Sequence, residues 1–113
     1  MDIFEKTRIA YFEALNGINV KENEQIILQS KNLNWSYYFA KDIKGADIKA
    51  HEKVLLELNK PNDSFWFARD IVGANIEEHF KVVYNSGDKH YLNRFIKEVN
   101  YKNTKVEEWL MYI

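Results

Sequence analysis

Cysteine is absent from this chain, and proline occurs once, inside the turn-forming run Asn59-Lys60-Pro61-Asn62-Asp63. Without cysteine there is no disulfide framework, no thiolate metal site and no cysteine nucleophile. Glycine is scarce as well, at positions 17, 45, 73 and 87. None of these builds a phosphate-cradling loop, and no Gly-x-Ser-x-Gly elbow surrounds Ser30, Ser36, Ser64 or Ser86. No apolar run approaches the roughly 18 residues that a membrane span needs. The opening MDIFEKTRIAYF carries acids early and lacks an apolar signal core, so a cytoplasmic location is expected. The net charge is -1 with the signs mixed along the chain. Neither the basic footprint of a nucleic-acid binder nor the acidic excess of a DNA mimic is visible.

What is present in excess is self-similarity. The stretch from Ser36 to Asp63 is echoed from Ser64 to Asp88. Tyr37-Tyr38-Phe39-Ala40 lies over Phe65-Trp66-Phe67-Ala68, and Gly45-Ala46-Asp47-Ile48 over Gly73-Ala74-Asn75-Ile76. His51 lands on His79. A degenerate earlier copy places Gly17 a further 28 residues upstream of Gly45, with Leu15 under Ile43 and Val20 under Ile48. A fourth, eroded copy is expected from Asp88, with Tyr91-Leu92-Asn93-Arg94 matching Trp66-Phe67-Ala68-Arg69 at a spacing of 25. A fixed period of this length is the signature of a repeat architecture. The expected repeats run over about 8–35, 36–63, 64–88 and 89–113, within one domain of 113 residues.

Each copy reads as two short helices. Helix A, such as 36–44, is expected to end at its glycine as a left-handed cap. Asn19, Asp47 and Asn75 follow as N-caps of helix B. Glu22 and Glu78 complete capping boxes with Asn19 and Asn75, and two more boxes fit Asp2 with Glu5 and Thr104 with Glu107. Helix B then runs about three turns, for example 48–58. Nothing alternates with period two, so no strands are expected. On helix A, Phe39, Ala40 and Ile43 share a face with their counterparts Phe67, Ala68 and Ile71; on helix B, Ile48, His51, Val54, Leu55 and Leu58 share one. A single helix pair cannot bury both stripes, so the pairs must stack. The fold expected is an all-α, right-handed α-solenoid of about four helix-turn-helix repeats. Ile3 and Phe4 are expected to cover one end. The apolar close Trp109-Leu110-Met111-Tyr112-Ile113 should fold back as a cap, with pairing to a second protomer through Trp109, Met111, Tyr112 and Ile113 as the alternative.

The pattern aromatic-x-Phe-Ala-x-Asp-Ile-x-Gly-Ala-Asp/Asn-Ile-x-x-x-Glu resembles a family of short α-helical repeats in bacterial and phage proteins. The resemblance covers residues 8–100 and is best over 36–84. It implies an α-solenoid and no particular activity, and it carries no catalytic motif. Leucine is usual in that pattern where this chain has His51 and His79.

Two constellations stand out. His51 and His79 sit on the apolar face of helix B with Asn23 at the same point of the first copy, and could form a polar ladder between repeats. Hydrogen-bonded buried histidines are the expectation, ahead of a pH-sensitive packing element. A metal site is disfavoured because zinc takes three or four ligands. The second constellation is a column on helix A: Tyr38 with Lys41, Trp66 with Arg69, and Tyr91 with Arg94, each pair three residues apart and so adjacent on a helix. Packing between repeats would explain it. A protein interface would use the same residue types, and single-stranded nucleic acid could stack on the rings and pair with the cations. Paired carboxylates such as Glu77-Glu78 and Glu107-Glu108 read as favourable charge at helix N-termini rather than as catalytic pairs.

The expectation is therefore a non-enzymatic protein-binding module, a small adaptor or inhibitor, with no cofactor and no metal. Partner-binding residues would be Tyr38, Lys41, Trp66, Arg69, Tyr91 and Arg94. Size and an Asn-, Lys-, Ile- and Tyr-rich composition suit a phage-encoded inhibitor of bacterial defence such as an anti-CRISPR protein. Single-stranded nucleic-acid binding along the Tyr38/Trp66/Tyr91 column is the alternative.

Overall fold

A computed structural model describes residues 2–112. The described chain is all-α: α1 (Ile3–Leu15), α2 (Val20–Ser30), α3 (Leu33–Asp42), α4 (Ile48–Leu58), α5 (Pro61–Asp70), α6 (Ile76–Ser86), α7 (Lys89–Glu98), α8 (Lys105–Trp109) and a closing 3-10 turn, Leu110–Tyr112. As expected, it is built from repeated helix pairs, and helices pack on one another within each compact unit. It divides into two compact units, Met1–Val54 and Leu55–Ile113. In the first, α1 pairs with α2 and α3 packs on both. In the second, α5 pairs with α6, α7 packs on both, and α8 lies on α6.

The periodicity is stricter than the side-chain pattern suggests. Helices α3, α5 and α7 begin at 33, 61 and 89, and α2, α4 and α6 begin at 20, 48 and 76. The spacing is 28 throughout, and the fourth copy does not shift to 25. Helix A starts about three residues earlier than expected, for two local reasons. Asn32 and Asp88 cap α3 and α7 by accepting the N–H of Trp35 and of Tyr91. Pro61 occupies the first turn of α5, where its missing N–H costs nothing. The run around Pro61 is thus a helix start rather than a long turn.

The glycines divide into two kinds. Gly17 closes α1 as a Schellman motif: Ile18 N–H donates to the Glu13 carbonyl and Gly17 N–H to that of Ala14. Helices α3 and α5 end differently. Ile43 and Ile71 are extended at the C-cap, and each glycine is the third residue of a four-residue turn closed by Ala46 N–H to Ile43 O and Ala74 N–H to Ile71 O. That third position takes positive φ, +83° at Gly45 and +91° at Gly73. The extended isoleucine sends its side chain into the core, which a left-handed cap directly after the helix would not do.

Capping also departs from expectation in part. Asn75 accepts from Glu78 N–H, Asp47 from Ala50 N–H and Asp2 from Glu5 N–H. Asn19 makes no side-chain cap because its backbone is left-handed, whereas an N-cap needs an extended conformation. Thr104 makes none because its hydroxyl donates to the Tyr101 carbonyl.

The core follows the period. Phe39, Phe67 and Phe95 are fully buried, as are the C-cap residues Ile43, Ile71 and Val99 nearly so. The first unit's core adds Ala10, Tyr11, Ala14 and Ile27; the second's adds Phe65, Ala68, Phe80, Val83 and Val106. Leu58, expected on the buried face of helix B, is half exposed, and Ile3 and Phe4 are each 61% exposed and cover little.

Gly73→Ala should destabilise the protein by roughly 1–2 kcal/mol through backbone strain alone, because an added Cβ meets nothing within 4 Å. Denaturant unfolding measures this directly, and an unchanged midpoint would show that the turn is not held at positive φ.

Candidate functional site

Helix B carries most of the buried polar residues. His51 and His79 are fully buried, and each lies against a helix-A phenylalanine: Phe39 at 5.0 Å from His51 and Phe67 at 5.2 Å from His79. The expected ladder of Asn23, His51 and His79 takes another form. The Asn23 amide donates to Ile18 O within its own copy. His51 Nε2 instead meets Glu24 Oε2 at 2.9 Å, and the same oxygen accepts Asp47 N–H at 2.7 Å. With Glu24 ionised, Nε2 carries the proton. His79 Nδ1 contacts Ser64 Oγ at 3.1 Å. The corresponding atoms 28 residues earlier, Ser36 Oγ and His51 Nδ1, are buried without hydrogen-bond partners. Glu24 was not singled out from sequence, although Glu24 and Glu52 sit 28 apart beside Asn23 and His51 and were a legible signal.

Burial pushes His51 below its ordinary value of 6.5; Glu24, and more weakly Asp47, oppose that shift. Among the described residues no three His, Asp or Glu side chains gather to hold a metal ion.

The aromatic-basic column is assembled differently in the two units. In the first, Tyr38 is 45% exposed and its ring lies 5.4 Å from Tyr37, 6.2 Å from Trp35 and 6.4 Å from Tyr11. Lys41 reaches the Tyr37 ring, 5.7 Å away, rather than Tyr38. Beneath them, the Tyr11 hydroxyl donates to Asp42 Oδ2 at 2.6 Å, and burial together with that carboxylate raises its pKa to about 12.

In the second unit, two guanidiniums lie against the Trp66 ring, Arg69 at 4.3 Å and Arg94 at 5.1 Å from its centre. Both cations are matched. Arg69 donates to Asp70 and Glu98, and Arg94 donates through Nε and Nη2 to Glu98. The bond to Arg94, then that to Arg69, holds the Glu98 carboxyl below its ordinary value. Tyr91 does not pair with Arg94; its ring faces Phe65 at 5.7 Å and His90 at 4.9 Å. The 28-residue register explains this, because Arg94 rather than Tyr91 is the counterpart of Trp66 and Tyr38. Both arginines that would meet phosphates are already engaged by carboxylates.

A different surface is open. On α1, Phe4, Phe12 and Leu15 fall within an arc of about 80° at 100° per residue, and all three are exposed, Phe12 by 47%. Arg8 sits in the same arc, exposed and without an ion pair among the described residues. Phe12 continues this face towards Trp35 at 6.5 Å and from there to Tyr38. Interior copies carry Ala40 and Ala68 at the Phe12 position, both buried. The large ring at an alanine position was the sequence signal for this surface.

Of the close of the chain, Trp109 packs on Phe80 at 6.0 Å and Val106 is fully buried, whereas Met111 and Tyr112 are 79% and 89% exposed. Ile113 lies outside the described residues. No described helix is long and apolar enough to cross a membrane. Comparison with protein-family models, curated proteins and solved structures finds no match for this chain.

Because the unfolded chain takes up the His51 proton near pH 6.5 and the folded protein only at lower pH, the unfolded state binds more protons in that interval. Stability should therefore fall as the pH drops below about 6.5. His51→Leu/Glu24→Gln keeps an acceptor for Asp47 N–H and should lose less of its melting temperature between pH 8 and 5.5 than wild type. An equal loss in both would remove His51 as the cause.

Proposed function

We propose that the chain is a non-enzymatic protein-binding module whose partner contact is centred on the outer face of α1 and on Tyr38. The observation that carries this reading is the exposed run Phe4, Phe12 and Leu15 with the exposed Arg8 among them. Contiguous apolar exposure of this kind marks interaction surfaces, and aromatic residues with arginine supply most binding hot spots. The column expected from sequence enters only through Tyr38. Lys41 flanks it, while Trp66, Arg69, Tyr91 and Arg94 serve packing between α5 and α7. Membership of the short α-helical repeat family belongs to this proposal, as does a role as a small phage-encoded inhibitor of bacterial defence. The latter rests on size and composition.

Binding of single-stranded nucleic acid is the competing class, and two of its three cations, Arg69 and Arg94, are spent on Asp70 and Glu98. Titration with oligonucleotides at low salt should leave tryptophan fluorescence unchanged; saturable quenching that weakens steeply with salt would overturn the protein reading. Affinity capture from a bacterial lysate supplies the second arm. Phe4→Ser/Phe12→Ser alters exposed positions, where stability changes stay within about 0.5 kcal/mol, and should lose the protein that wild type retains. Trp66→Ala/Arg69→Ala should keep it. The reverse pattern would move the contact to the second unit.

A further inference from the structure

The second unit contains a cleft of about 240 Å³ between α6 and α8, lined by Phe80, Lys81, Tyr84, Asn85 and Trp109. Its position follows from a break in the repeat. Glu24 and Glu52 occupy this point of helix B in the first two copies, and both are buried; the third copy has Phe80 there, also buried. The exchange of a carboxylate for a ring gives α6 an apolar floor on which Trp109 rests. Phe80 stacks on Tyr84 at 5.8 Å and 23°, and meets Trp109 in a tilted contact at 6.0 Å and 32°. Three rings thus line the cleft, and Tyr84 remains half exposed.

The polar groups at the rim are uncommitted or weakly held. Lys81 Nζ lies 5.6 Å over the Trp109 ring and 3.3 Å from Glu78, with both side chains about half exposed. An exposed pair of this kind contributes little, and the ammonium can turn to a better acceptor at small cost. The Asn85 side chain is exposed and makes no hydrogen bond among the described residues. Trp109 therefore lines an apolar cleft that also has a cation and an amide donor in its lining. Small-ligand sites have this composition, mostly apolar walls with a few polar groups that fix orientation.

We propose that this cleft binds an aromatic carboxylate, the ring against the side chains of Phe80, Tyr84 and Trp109 and the carboxylate on Lys81 and Asn85. The same chemistry is offered by a free aromatic acid and by the C-terminal phenylalanine of a peptide. The site lies in the other unit from the α1 face, so either reading can fail without the other.

The test follows the Trp109 indole N–H and the Asn85 side-chain amide by NMR. The probes are 3-phenylpropionate, its neutral amide, and a short peptide ending in phenylalanine with a free or amidated terminus. Both signals should shift saturably with 3-phenylpropionate, with a dissociation constant on the order of 1 mM for a ligand this small. The amide should bind roughly two- to five-fold more weakly. Lys81→Gln should abolish that difference, and Tyr84→Ser should abolish saturation while leaving the melting temperature near that of wild type. Tighter binding of the free-terminus peptide than of 3-phenylpropionate assigns the site to chain ends, and equal binding assigns it to free acids. No saturable shift up to 10-fold above that concentration overturns the proposal. So does equal affinity for acid and amide in wild type.

Discussion

Each phenylalanine of the series Phe39, Phe67 and Phe95 must lose all contact with water, and one pair of helices offers too little surface to enclose it. Burying such a ring contributes roughly 1.5–3 kcal/mol, so the demand recurs once per copy and sets the copy length. The extended residue that ends helix A (Ile43, Ile71 or Val99) supplies the next part of the wall. Its C-cap position is the reason the following glycine sits in a turn instead of capping the helix. Period, turn chemistry and core are consequences of enclosing one ring per repeat.

Against each enclosed ring of α3 and α5 the chain sets an imidazole rather than an aliphatic side chain. A buried polar ring needs partners, and the two copies satisfy it differently. His51 uses Glu24, which also caps Asp47 N–H and so joins α2 to the start of α4. His79 uses Ser64 on α5. The helix-A ends pose a second electrostatic problem, since Asp42, Asp70 and Glu98 sit at the C-terminal, negative end of a helix dipole. Tyr11 of α1 answers it at Asp42, and Arg69 of α5 with Arg94 answers it at Glu98. These ties bind one helix A to another, and they consume the groups that looked free for a partner. What remains are Tyr38 and Lys41 and the places where the repeat is interrupted: the exposed Phe12 at an alanine position, and the cleft beside the buried Phe80 at a glutamate position.

From the sequence alone came the helical class, the period of 28, the buried faces of helix A and the burial of His51 and His79. These are legible because they follow from local geometry: a 3.6-residue helix sorts side chains by face, and repetition averages out the noise of any single copy. The fourth copy was misplaced by three residues because aromatic identity was matched rather than backbone position. Tyr91 resembles Trp66, yet the caps Asp88 and Asn32 and the helix starts keep the spacing of 28. Tertiary structure alone decided which side chains meet across helices. Arg94 on Trp66, Glu24 under His51 and Trp109 on Phe80 join residues 27 to 29 positions apart, through the approach angle and register of packed helices. A sequence encodes which face is apolar; which polar tip finds which partner depends on distances that exist only once the faces have closed.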